Sequence, residues 1–175
     1  PGDSGLVKDP AVSHYRLAAH LLLAMLLYAM LFWTALKVLY PLPRVRQKRL
    51  AGAAGVLHLG SFLLLVTIVY GAFVAGLKAG LIYNTYPLME GSFIPSEWNF
   101  LQPLYLNFLE NATTVQWVHR TIAILTFATI SISMVWLVFL GVSESLKRSA
   151  FLAVGAIVLQ VGLGIITLLH QVPVF

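Results

Sequence analysis

Four stretches of this chain contain no Asp, Glu, Lys or Arg: residues 17–36, 50–77, 121–143 and 149 to the end. Each holds about 20 residues or more, the length an α-helix needs to cross roughly 30 Å of hydrocarbon. The third extends outward over Arg120 and His119 to about Thr114. Charged residues make up 10% of the sequence and hydrophobic ones 59%, whereas a soluble domain carries about 25% charged residues on its wetted surface. A soluble enzyme and a disordered chain are both excluded on that ground. The expected fold class is an all-α integral membrane protein with four transmembrane helices. No short apolar region with a small-residue cleavage site opens the chain, so a cleaved signal peptide is not expected.

Charge sets the expected direction of threading. The segment 37–49 holds Lys37, Arg44, Arg46, Lys48 and Arg49 without an acid, which places it on the cytoplasmic or matrix side. The turn 141–148, with Lys147 and Arg148, falls on the same side if the helices alternate. The connection 78–112 then faces outward, with Glu90, Glu97 and Glu110 against Lys78. The formal net charge of +5 is thereby a matter of topology, and no nucleic-acid partner is expected. Absence of cysteine excludes disulfides, thiolate metal sites and iron–sulfur clusters.

The outer connection is too long for a mere linker. Tyr83, Tyr86, Phe93, Trp98, Phe100, Tyr105 and Phe108 are amphipathic aromatics suited to a membrane interface. A short interfacial helix is expected over residues 98–109, with the whole connection forming a lid over the outer end of the bundle. Residues 1–10 read as a loop feeding the first helix, with Ser13 as its N-cap. The chain stops at Val174-Phe175, directly after Pro173, without a polar tail, as a piece of a longer protein would.

Ionisable residues inside a span are functional candidates, because burying them in lipid is costly. His20 follows Arg16 by four residues on the first helix, so the two share a face about 5 to 6 Å apart. His119, with Arg120 beside it, lies near the outer end of the third helix. The two histidines are expected at similar depth. Imidazoles on facing helices ligate haem iron, and arginine meets haem propionates bidentately. The competing interpretation is a hydrogen bond to a neighbouring helix. Gln116 is one turn before His119 and either faces a haem or closes a capping box with Thr113, the latter being favoured. His58 lies deeper and is expected to be structural, His14 to be solvated in the outer loop, and His170 to sit at about the depth of His119, a ligand candidate by spacing. Gly71, Ala72, Ala75, Gly76 and Gly80 supply either close helix contact or clearance for a flat macrocycle.

The run YGAFVAGLKAGLIYNTYPLM at 70–89, then Ile94-Pro95, then NFLENATTVQWVHR at 107–120, closely resembles the heme A synthase (CtaA) family, most strongly its alphaproteobacterial and mitochondrial branch. SGL at 4–6, YRLAAHL at 15–21 and LGIITLL before Val172-Pro173 resemble it too. The resemblance covers essentially the whole chain. It implies eight helices in two pseudo-symmetric four-helix halves, each holding one haem between two histidines. Residues 1–40 would be the end of the first half, with its last helix at about 14–37. Residues 41–49 would be the basic inner loop, and 50–175 the first three helices of the haem b half, with the outer loop at 78–112.

By the same resemblance His20 is an axial ligand of the substrate haem, heme O, and His119 of the cofactor, haem b. Arg120, Gln116 and Arg16 would be cofactor-binding. The partner histidines and the catalytic glutamate would lie outside this chain, the glutamate in the first-half slot that Gln116 fills here. His170-Gln171 precedes Val172-Pro173, whereas the family's last ligand follows its Val-Pro pair, so His170 is set aside. The family's outer-loop cysteine pair, present in some bacterial relatives, is missing, which argues against thiol-mediated electron delivery.

The implied reaction oxidises the heme O methyl group to the formyl group of heme A for cytochrome oxidase, in the bacterial inner membrane or the mitochondrial inner membrane. This piece alone is expected to be inactive. Implied partners are heme O synthase, oxidase assembly factors and membrane lipid, with room for a homo-oligomer. The alternatives are a b-type cytochrome that only relays electrons, against which the YNTYPLM motif stands, and a haem-free transporter or scaffold subunit.

Overall fold

The computed structural model describes residues 13–40 and 48–171. Their architecture is α-helical: α1 (His14–Leu39), α2 (Ala51–Gly76), a single turn α3 (Asn107–Glu110), α4 (Ala112–Phe139) and α5 (Glu144–Leu169). The only extended pairing among the described residues is one isolated bridge, Met89 with Ser92. Four helices are long and apolar enough to cross a membrane, with mean hydropathies of 2.0, 2.1, 2.3 and 2.4 over their most apolar windows. The helices of the first, third and fourth spans run past the charge-free stretches because only the hydrocarbon forbids charge; an interfacial turn can hydrate its side chains. Thus α1 takes in Tyr15 and Arg16, and α5 begins at Glu144, where Ser143 accepts from the Leu146 amide (3.4 Å) and Lys147 pairs with Glu144 (2.7 Å). The expected 141–148 turn is therefore half helix, with the reversal confined to the residues around Gly141 (φ +65°). Residues 1–10, most of the basic segment 37–49 and the Val172-Pro173 pair lie outside the described residues.

The centre is an antiparallel pair, α2 against α4. Reading down α2 and up α4, Gly71 meets His119, Thr67 meets Thr126, Gly60 meets Ile130, Ala53 meets Ser133 and Gly52 meets Trp136. Each pair includes at least one small residue, and at Gly60 and Gly52 it faces a large one. A Cβ on Gly60 would lie 2.7 Å from Ile130 Cγ1, and one on Gly52 2.8 Å from Trp136 Cη2. Two hydroxyl contacts cross the pair: Ser133 donates to the Ala53 carbonyl (2.8 Å), and the Thr67 and Thr126 hydroxyls share a hydrogen bond (2.9 Å). In lipid, where hydrophobicity does not drive helices together, close approach and such hydrogen bonds supply the association.

The outer helices attach at opposite sides. α1 touches α2 through its first turns, burying His14 and Ala18 in a cluster with Ala72, Phe73 and Val115. Gly76 makes this crossing possible, since a Cβ there would sit 2.5 Å from His14 Cβ and 2.7 Å from its Cα. Of the small residues on this stretch, Gly76 serves helix contact, Gly71 seats an imidazole, and Ala79 and Gly80 are buried in the turn that follows α2. α5 packs on α4 and buries Ala150.

The connection from α2 to α4 holds a shorter helix than expected. Residues 98–103 form turns, and only 104–110 are helical, as a 3₁₀ turn (Leu104–Leu106) running into α3. Pro103 is the cause: it lacks an amide hydrogen and disfavours helical geometry in the residue before it. The Asn107 side chain closes the turn instead, accepting from the Leu101 amide (2.9 Å) and donating to the Leu101 carbonyl (2.8 Å).

The start of α4 also differs from the expected capping box. Helix geometry begins at Ala112, two residues earlier, so Asn111 is the N-cap and its Oδ1 accepts from the Thr113 (3.0 Å) and Thr114 (3.4 Å) amides. Gln116 is then two positions too far along to reach back. Asn111 is buried and also donates to the Glu97 carbonyl (2.8 Å) and Asn107 Oδ1 (3.1 Å). Asn111→Ala should therefore cost more than an ordinary cap, about 2 to 3 kcal/mol when the stranded acceptors are included. Faster amide exchange in residues 97–115 would register it, and unchanged exchange there would refute it.

Candidate functional site

His119 lies two turns into α4, and its ring packs onto the bare backbone of Gly71, where a Cβ would come within 3.3 Å of Cε1. Nδ1 is buried without a hydrogen-bond partner, and the ring also meets the Thr67 backbone. On either side of it, Gln116 and Arg120 share a target. Gln116 Nε2 donates to the Tyr83 carbonyl (3.0 Å); Arg120 donates to the same carbonyl through Nη2 (2.6 Å) and to the Thr85 carbonyl through Nη1 (2.8 Å). Thr114 donates to the Trp98 carbonyl (2.6 Å), and the Trp98 and Trp117 rings approach to 6.5 Å between centroids. The connection thus folds across the first turns of α4. Against it, Arg120 Nε and Trp117 Nε1 are buried without partners beside a small cavity that Tyr86 and Phe93 also line. Tyr83, in the connection itself, has its hydroxyl pKa raised, first by burial and then by the negative charges of Glu97 and Glu90.

The other expected residues are placed less uniformly. His20 and Arg16 are exposed on α1, without a hydrogen bond or ion pair among the described residues. His20 is not joined to His119, which faces α2. The two are nonetheless level: from the His14–Gly76 crossing, His20 is six residues along α1 and Gly71 five residues back along antiparallel α2, about 8 to 9 Å in each case. Gln116 does not form the capping box; it is 2% exposed, with Oε1 unpartnered. His58 is exposed on α2 with no hydrogen bond among the described residues, so the expected structural bond is not made. His170 follows α5 and turns Nδ1 to the Ile166 carbonyl (2.9 Å).

His14 corrects the expectation of a solvated loop residue. It opens α1 at 8% exposure, edge-on to Phe73 at 5.0 Å, with Nε2 3.7 Å from Glu110 Oε2. Tyr15 donates to the other oxygen of Glu110. Gly76 was the available signal: a glycine in a small-residue stripe admits whatever begins the neighbouring helix.

The residues present fit a haem-type group. No three His, Cys, Asp or Glu side chains converge on one point among the described residues, so a metal ion held by protein alone has no donor set here. One imidazole offered from one helix, with an orphaned second nitrogen, is the contribution expected toward iron carried in a macrocycle. Arg120 has no acidic partner among the described residues and retains N–H groups for a carboxylate.

Four lipid-length helices around a glycine-lined central pair, with a lone imidazole and a guanidinium under a folded connection, define a polytopic α-helical membrane protein. The chain belongs to the cytochrome oxidase assembly protein family, whose sequence pattern matches residues 3–175. It is similar to the heme A synthase of Wolbachia sp. subsp. Brugia malayi (strain TRS), 40% identical over 98% of this chain and 49% of that protein. It is also similar to those of Nitrosospira multiformis, 45% identical over 97% of this chain and 48% of the relative, and Rhodospirillum centenum, 46% identical over 97% and 45%. The chain spans about half the length of the curated relatives it matches. No solved structure matches it.

Proposed function

We propose that this chain is the middle of a heme A synthase, contributing one ligand-bearing helix to each of two haem sites. The His119 turn carries the proposal: an imidazole held against Gly71, with Nδ1 buried and unpartnered, flanked by a guanidinium that has no carboxylate partner among the described residues. His119 would hold haem b through its imidazole, and His20, level with it on α1, would hold the substrate, heme O. Haem b, when bound, supplies the redox centre through which electrons leave as the heme O methyl group becomes the formyl group of heme A.

This chain's own residues bind and orient. Gly71 fixes the plane of the His119 ring. Arg120 has two N–H groups on the connection and others left for a propionate, while Arg16 serves the first-half haem in the same way. Gln116 holds the connection through the Tyr83 carbonyl rather than facing the haem. The catalytic glutamate and the opposing histidines belong to the other half of the relatives' length.

The protein is placed in the bacterial inner membrane or the mitochondrial inner membrane, with 37–49 and 141–148 on the cytoplasmic or matrix side. Its partners are heme O synthase, oxidase assembly factors and a second copy of itself. Pigment extraction from the full-length protein tests the function. Heme O and heme A should be recovered together with haem B. Haem B alone would favour a b-type electron relay, and a spectrum without a Soret band would refute both.

A further inference from the structure

The 83–85 segment is hydrogen-bonded to three other parts of the molecule: α4, the turn after α2 and the end of α5. Its backbone is held by α4 through the carbonyls of Tyr83 and Thr85, and its one amide side chain reaches the other way. Asn84 Nδ2 donates both hydrogens, to the Gly80 carbonyl in the turn after α2 (2.9 Å) and to the Leu168 carbonyl in the last turn of α5 (2.9 Å). The Leu168 carbonyl, which also accepts from the Gln171 amide (3.1 Å), uses its second acceptor position for Asn84. Every other side-chain hydrogen bond described on α5 is made within five residues: Ser143 to Leu146, Lys147 to Glu144, Ser149 to Ser145 and His170 to Ile166. Among the described residues, Asn84 is the single side-chain hydrogen bond between α5 and the rest of the protein.

We propose that Asn84 is a positioning residue that locks the end of α5 to the turn of α4 carrying Gln116, His119 and Arg120, so that the geometry at His119 depends on a side chain that touches no ligand. The requirement is chemical. Two hydrogens on one nitrogen must meet two carbonyls on different elements, which aspartate, serine and histidine do not provide. The haem part rests on the function proposed above; the link between α5 and the connection does not.

The test uses the full-length protein loaded with haem b, comparing Asn84→Ala and Asn84→Gln with wild type by hydrogen exchange and by the low-spin haem signal and its reduction potential. Asn84→Ala should raise amide exchange in both 82–90 and 164–171 about tenfold, retain haem b, and displace its signal or potential. Asn84→Gln, which keeps both donors on a longer arm, should fall between, and it carries the test if the alanine variant does not accumulate. Wild-type exchange in either segment, or raised exchange with an unmoved haem signal, overturns the proposal. His119→Ala in parallel separates the two ideas: a surviving b-type signal removes His119 as ligand, while the exchange result still decides whether Asn84 ties α5 in place.

Discussion

Replacing His119 with alanine in the full-length protein should abolish the low-spin b-type haem signal while leaving the protein in the membrane. The effect is expected to be complete rather than graded. A haem held at this turn would lose the imidazole that holds it from α4, and α4 carries no other histidine. Stability should suffer less than ligation, because the ring is only half-buried and its Nδ1 makes no hydrogen bond that would be lost. The measurement is an absorbance and electron paramagnetic resonance spectrum of the reduced and oxidised variant. An unaltered low-spin spectrum would exclude His119 as ligand and leave its seat on Gly71 as a packing detail.

Gly76→Ala should be the most damaging single methyl group that can be added to α2. A Cβ there meets backbone, His14 Cα at 2.7 Å, as well as His14 Cβ at 2.5 Å, and backbone cannot swing aside as the tip of a side chain can. Overpacking costs about 1 to 3 kcal/mol where side chains absorb it, so a value at or above the top of that range is expected, or roughly 6 to 12 °C in thermal midpoint for a chain of this size. Gly55→Ala is the matched control. Nothing lies within 4 Å of its Cβ position, and alanine gains up to about 1 kcal/mol over glycine in a helix. Equal midpoints for the two variants would mean that α1 is not held at this crossing.

The helices were legible because hydrocarbon excludes charge, and a missing charge is visible in a sequence. Four charge-free runs became four helices, with errors only at ends where the helix enters the interface. The connection was legible as a structured element from its aromatics but not in its path, which is set by buried amides on Asn107 and Asn111 whose partners are backbone groups. Backbone acceptors leave no mark in a sequence, and for that reason Arg120 was expected to await a carboxylate although two of its donors already hold carbonyls. His14 was misjudged for a related reason. Its burial depends on Gly76 and Glu110, residues 62 and 96 positions away in sequence, and no local pattern reports them. His119 and His20 stand out as candidates because an ionisable group in a span is conspicuous whatever surrounds it.

The contacts that join α2 to α4 below His119 have a consequence for acid and base. They are hydroxyl to hydroxyl, hydroxyl to carbonyl, or glycine beneath isoleucine and tryptophan, and none contains a proton that is gained or lost in water between mildly acidic and mildly basic conditions. Although His58 also lies on α2, the packing of the central pair at these contacts is therefore uncoupled from the protonation of any side chain.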